Sequence, residues 1–106
     1  MIEENEITME DLIFIHFIQF YGMRTKTLKE MKISSIDITN ETITLFEMKI
    51  TKKKIRQCDI LSLINHIDSI IEKEEYLFPN YRKLNWQETR DRVTRTYKYI
   101  ESHPKI

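Results

Sequence analysis

The chain has no alanine, one glycine, two prolines, one cysteine and no net charge, with 17 Lys+Arg balanced by 17 Asp+Glu in 106 residues. Each shortage excludes something. A single cysteine, Cys58, rules out an internal disulfide framework and any multi-cysteine zinc site, and it suits a reduced, cytoplasmic compartment. A lone glycine leaves no Gly-rich loop to cradle phosphates. The zero balance excludes a uniformly basic coat for nucleic acid and an acidic disordered tail, while leaving local patches open. The longest apolar run is broken by His16 and Gln19, too short for a membrane span. The acidic start at Glu3, Glu4 and Glu6 does not suit a signal peptide, so no membrane partner is expected. The three histidines show no metal-ligand spacing, and neither a metal nor a small-molecule cofactor is expected. Isoleucine and lysine are abundant, the bias of an AT-rich gene rather than a functional signature.

What is present is an ordinary globular balance, 41% hydrophobic and 32% charged. A chain of this size makes one domain, residues 1–106, with a modest core. Thr8 with Asp11 three residues later reads as a capping box opening a first helix. Leu12, Ile13, Ile15, Phe17, Ile18 and Phe20 then surround that helix with apolar side chains, which places it in the core. Gly22 stops it. A short second helix is expected over about Thr27–Met31.

From Ile36 the sequence turns to β-branched residues. Ile36 and Ile38 alternate with polar neighbours, and Asn40-Glu41 reads as a tight turn. Ile43 and Leu45 continue on one parity, whereas Phe46, Met48 and Ile50 follow on the other, the mark of a bulge or twist within a strand. Thr51-Lys52-Lys53 is expected as the next turn and Ile55 to Cys58 as a third strand, giving a three-stranded antiparallel meander. Asp59 would cap a third helix over Ile60–Lys73, with Ile60, Leu63, Ile64, Ile67, Ile70 and Ile71 as its apolar stripe. A loop is expected around Pro79. Asn85 with Glu88 marks the start of a last helix, with Trp86, Val93, Tyr97 and Ile100 along one face and Arg92, Arg95 and Lys98 projecting from its other sides. The fold class is therefore α+β. His16 is expected as a hydrogen-bonded core histidine, His66 at the surface, Cys58 as a small buried hydrophobe and Trp86 as an anchor at the helix start.

Charge is unevenly spread. Residues 1–11 hold five acids and no base, residues 49–56 five bases and no acid, and residues 82–98 six bases against Glu88 and Asp91. Lys52, Lys53, Lys54, Arg56, Arg92, Arg95 and Lys98 are candidate contacts to duplex DNA, because cations on a hairpin and a helix can grip a backbone through its phosphates. The bland readings are a solvated turn, lysines that protect a strand edge, and a solvated helix face.

The order of elements, with Tyr21-Gly22-Met23-Arg24 followed by Leu28-Lys29-Glu30-Met31-Lys32-Ile33-Ser34-Ser35-Ile36-Asp37-Ile38, resembles the first half of the catalytic domain of tyrosine recombinases, the phage-type integrases. The segment Tyr76-Leu77-Phe78-Pro79 is similar to that family's Leu-Phe marker. The resemblance covers about residues 7–100, leaving 101–106 as a tail. It implies that Arg24 is the first catalytic arginine, facing the scissile phosphate, and that Lys49 is the hairpin lysine. The chemistry suits those residue types: a guanidinium matches two phosphate oxygens, and an ammonium supplies a charge or proton at a leaving oxygen. Thr27 stands where the family usually has an acid. The family's His-x-x-Arg box and nucleophilic tyrosine fall beyond this sequence, so the chain as given is expected to be inert in strand cleavage.

The expectation is thus a DNA-binding, nucleoid-associated part of a recombinase catalytic domain, acting in site-specific recombination or integration and able to form homo-oligomers on DNA. The alternative is a small non-catalytic regulator of a mobile element or virus that works through dimerisation, exposing Trp86, Tyr97 and Ile100 as an interface.

Overall fold

The computed structural model describes residues 7–46, 49–70 and 74–102. Helix α1 spans Met9–Tyr21 and is the centre of the core. Its capping box is complete: Thr8 Oγ1 accepts from the Asp11 amide at 3.2 Å, and Asp11 Oδ2 accepts from the Thr8 amide at 2.9 Å. Gly22 ends the helix in the left-handed conformation at φ 63°. That backbone region favours glycine, which explains why the chain's one glycine stands here. Phe14, Ile15 and Phe17 are fully enclosed. Phe14 stacks on Tyr81 with centroids 3.8 Å apart, and Phe78 meets Phe14 edge-on at 5.1 Å.

Helix α2, Thr25–Lys29, lies two residues earlier than the sequence suggests. A 3-10 turn over Ile33–Ser35 leads into strands β1 (Ile36–Asp37), β2 (Thr42–Phe46) and β3 (Ile50–Lys54), which form an antiparallel sheet in the order β1-β2-β3. The first connection is a tight turn: Asp37 accepts from the Asn40 amide at 3.0 Å, and Glu41 takes φ 57°. The second differs from the sequence reading. Thr51, Lys52 and Lys53 lie on β3 rather than in a turn, and Ile50 pairs with Phe46. The pairing runs without a bulge from Thr42–Lys54 to Phe46–Ile50, so Ile50 belongs to a new strand while Phe46 still lies on β2; Met48 falls outside the described residues.

Helix α3, Gln57–Ser69, takes the last two residues of the segment expected as a third strand, Ile55 to Cys58, and starts three residues before Ile60. Asp59 sits within it instead of capping it. Leu63 is buried, with Ile60 and Ile67 packed beside it; the expected end, Ile71 to Lys73, lies outside the described residues. His66, expected at the surface, is 3% exposed, with Nε2 2.8 Å from the Leu77 carbonyl. Cys58, expected inside, is exposed. Pro79 opens a single-turn helix α4, Pro79–Arg82, and helix α5 runs over Trp86–Ser102 behind a second capping box of Asn85 and Glu88, with bonds of 2.8 and 3.0 Å. Helix α1 packs against α5 and α3, and α2 against α4. An isolated bridge between Lys32 and Tyr76 ties the chain after α2 to the chain before α4.

A buried polar cluster joins the two ends of the chain. Asp11, wholly enclosed, accepts from Arg92 Nε at 2.7 Å and from the Tyr81 hydroxyl at 2.6 Å. Burial by itself would raise the Asp11 pKa, but the Arg92 guanidinium, the Thr8 amide and the Tyr81 hydroxyl outweigh it and hold the carboxyl below its ordinary value. Glu10 beside it accepts from the Asn80 and Tyr81 amides at 3.1 and 3.3 Å, fixing the start of α4. Here burial prevails, and the Glu10 pKa is raised.

Candidate nucleic-acid interface

Arg24 sits between the end of α1 and the start of α2, where Gly22 has turned the chain outward. Its side chain is exposed, and among the described residues no carboxylate pairs with it. It lines a cleft of about 750 Å³ between α2, the 3-10 turn and β2. Lys26, Lys32, Thr27, Ser34, Ser35 and Thr44 share that lining, with Glu30 as its acid. Guanidinium, ammonium and hydroxyl groups around one concavity make a surface suited to an oxyanion. Lys32 also pairs with Glu75 at 2.9 Å, both half-exposed or more, an ion pair of little net worth in water.

The hairpin approaches the same cleft through β2. Thr44 pairs with Lys52 and Thr42 with Lys54. Cross-strand partners share a face with β-carbons about 5 Å apart, so the exposed Lys52 borders the cleft that Thr44 lines. Lys54 is exposed on the same face, one pair further along. Lys49, the hairpin lysine that the family resemblance implies, is exposed at the end of the hairpin and is not among the cleft's lining residues.

Lys53 is turned the other way. It pairs with the buried Ile43, and its ammonium donates to the Tyr21 carbonyl at 2.6 Å. That carbonyl lies at the C-terminus of α1, where a cation is favourable. Arg56 is likewise engaged: Nε donates to Asp59 at 3.1 Å, Nη2 lies 3.2 Å from His16, and the guanidinium lies over the Phe20 ring. Asp59 also accepts from the Tyr21 hydroxyl and lies 2.9 Å from His16 Nε2. Burial would raise the Asp59 pKa, but the bonds from Tyr21, His16 and Arg56 outweigh it and lower it. His16 is therefore hydrogen-bonded as expected, but at 28% side-chain exposure it lies at the edge of the core, not within it.

On α5, Arg92 does not project outward. It reaches Asp11 across the core, and its side chain is 21% exposed. Arg95 is half-buried and engaged within the protein, while Lys98 is exposed. Of the seven cations singled out as DNA contacts, Lys52, Lys54 and Lys98 are exposed, Arg56 is exposed but bonded to Asp59, and Lys53, Arg92 and Arg95 are engaged within the fold.

Lys26 and Lys32 were not among the sequence candidates. Their signal is the segment 24–32 itself, which holds four bases against one acid. Trp86 is also misread by sequence: it is 58% exposed instead of anchoring α5. The inward position is taken by Leu84, which packs against the core.

An apolar central helix, a three-stranded meander and flanking helices make up an α+β domain. The fold matches the crystal structure of XerA recombinase with a TM-score of 0.72, at 16% sequence identity, over 92% of this chain. The chain spans 38% of that protein's length. No protein-family model and no curated protein matches the sequence. No helix among the described residues is long and apolar enough to cross a membrane.

Proposed function

We propose that the chain is the duplex-DNA-binding part of a recombinase catalytic domain, of the tyrosine-recombinase kind that the sequence resembles. Arg24 is the phosphate-contacting residue on this reading. The observation that carries it is an exposed guanidinium, unpaired by any carboxylate among the described residues, in a cleft with further cations and hydroxyls on a recombinase-type fold. A planar guanidinium that no carboxylate among the described residues engages presents its fork of N–H groups to an external oxyanion.

On this reading the backbone of one strand lies in the Arg24 cleft, with Lys26 and Lys32 beside it and Lys52 and Lys54 along the hairpin face. Lys49 is the outer hairpin contact and Lys98 an outlying one. Arg92 and Lys53 support the fold instead of touching DNA, and the exposed Arg56 is held at the surface by Asp59. Such a surface reads phosphate positions rather than sequence. The setting is site-specific recombination or integration inside a cell, with homo-oligomers assembling on the DNA. The competing dimerisation reading is weakened because Tyr97 and Ile100 are half-buried, so that of its proposed face Trp86 alone is widely exposed.

The test is duplex binding across a salt series with wild-type protein and Arg24→Ala. Wild-type affinity is expected to fall steeply with salt, and Arg24→Ala to weaken binding similarly on unrelated sequences with a shallower salt slope. Absence of duplex binding at low salt, or an Arg24→Ala protein that binds as wild type, overturns the reading.

A further inference from the structure

We propose that the cleft where α2 meets the start of α5 receives one unpaired nucleotide of a DNA strand, the base against Trp86 and its phosphate between Lys26 and Arg82. The proposal rests on the DNA-binding reading but concerns a different site and a different form of DNA. The cleft measures about 440 Å³ and is lined by Lys26, Lys29, Arg82, Asn85 and Trp86, with Glu30 as its acid. That volume lies within the roughly 300–1,000 Å³ of small-ligand sites.

Trp86 is the reason to look here. A tryptophan is among the most costly side chains to leave in water, yet this one is 58% exposed while Leu84 fills the core position beside it. The ring is also held in place. The Lys29 ammonium lies 4.6 Å from its centroid, and that ammonium is itself fixed by the Leu84 carbonyl at 2.6 Å and Thr89 Oγ1 at 3.2 Å. The ammonium takes one face, so a flat partner stacks on the other, and a ring already ordered loses little entropy in doing so.

The surroundings suit the rest of a nucleotide. Arg82 is exposed, with its guanidinium carbon over the Tyr76 ring at 3.9 Å from the centroid. A guanidinium over a ring keeps N–H groups for an oxyanion. Lys26 is exposed and lines both this cleft and the Arg24 cleft, so a strand gripped at Arg24 passes Lys26 on its way to Trp86. A paired base inside a duplex cannot offer its face to Trp86; an unpaired one can, with little dependence on which base it is.

Trp86 is the chain's one tryptophan, so its emission reports this ring alone. The experiment titrates the protein with a short single strand, the matching perfect duplex, and that duplex carrying a one-nucleotide bulge, with binding followed separately by anisotropy of labelled DNA. The single strand and the bulged duplex are expected to quench the emission, and the perfect duplex to bind with little quenching. Trp86→Leu should lose about 5- to 150-fold in affinity for the single strand and the bulged duplex, with perfect-duplex affinity unchanged. Trp86→Phe should recover part of the loss, and circular dichroism confirms that both variants fold.

Unchanged emission at saturation with single strand overturns the proposal. So does equal weakening of perfect duplex and single strand by Trp86→Leu, or quenching by raised protein concentration alone, which would mean that a second copy covers the ring. Arg24→Ala separates the two readings. If it leaves perfect-duplex binding intact while single strand still quenches Trp86, the Arg24 interface fails and the Trp86 site stands.

Discussion

Replacing Arg92 by methionine tests the least expected contact in the molecule. The side chain would keep its length and lose its charge, leaving the Asp11 carboxyl wholly buried with the neutral donors of the Tyr81 hydroxyl, the Thr8 hydroxyl and the Thr8 amide. Breaking a buried ion pair by removing one partner costs about 3–5 kcal/mol. Arg92 is 21% exposed, which favours the lower end, about 3 kcal/mol. For a domain of this size that is a fall in Tm on the order of 10–20 °C. The pH dependence should change in sign. In the wild type the Asp11 pKa lies below its ordinary 3.8, so its stabilisation is present above that value and is lost as pH falls through the folded one. Without the guanidinium, burial dominates and raises the Asp11 pKa. The variant then loses stability as pH rises through the raised value, and its deficit should be smaller at about pH 4 than at about pH 7. Urea denaturation at both pH values measures this. A deficit under about 1 kcal/mol, or one equal at the two pH values, would refute the clamp. The folded variant should bind duplex DNA with wild-type affinity, because Arg92 faces the core.

The two neighbouring lysines of β3 should separate cleanly. Lys53→Met removes the cation from the Tyr21 carbonyl and should cost about 1 kcal/mol of stability with DNA affinity unchanged, whereas Lys52→Ala should leave stability unchanged and weaken duplex binding; thermal melts and a salt titration of each variant check both. Glu10→Gln should steepen acid unfolding. The raised Glu10 pKa means that the native state takes up its proton first and gains stability as pH falls, offsetting the losses at Asp11 and Asp59, and removing that group removes the offset. Urea midpoints between about pH 4 and pH 6 should show the variant losing stability earlier than wild type.

The elements that were legible in the sequence are those fixed by side chains bonding to nearby backbone. Thr8 with Asp11 and Asn85 with Glu88 mark helix starts because a short polar side chain reaches an amide three residues away, and Gly22 marks a stop because its φ of 63° suits glycine. The boundary between β2 and α3 was not legible. The same apolar parity change fits a bulge or a new strand, and Asp59 has the chemistry of a cap whether or not it caps. Asp59 lies inside α3, and its carboxylate accepts from the hydroxyl of Tyr21, a partner 38 positions away that local spacing does not reveal.

The candidate site divides along the same line. The sequence alone placed Arg24 just after the helix-stopping glycine and concentrated cations in the hairpin and the last helix, since composition and local spacing are properties of the chain. Which cations face water was a matter for the folded molecule. Lys53 bonds to a carbonyl 32 positions away and Arg92 to a carboxylate 81 positions away, while Lys52, Lys54 and Arg24 stay exposed. A charge is drawn inward only when packing brings a buried partner within reach to offset its lost hydration, and no local pattern encodes where that partner will be.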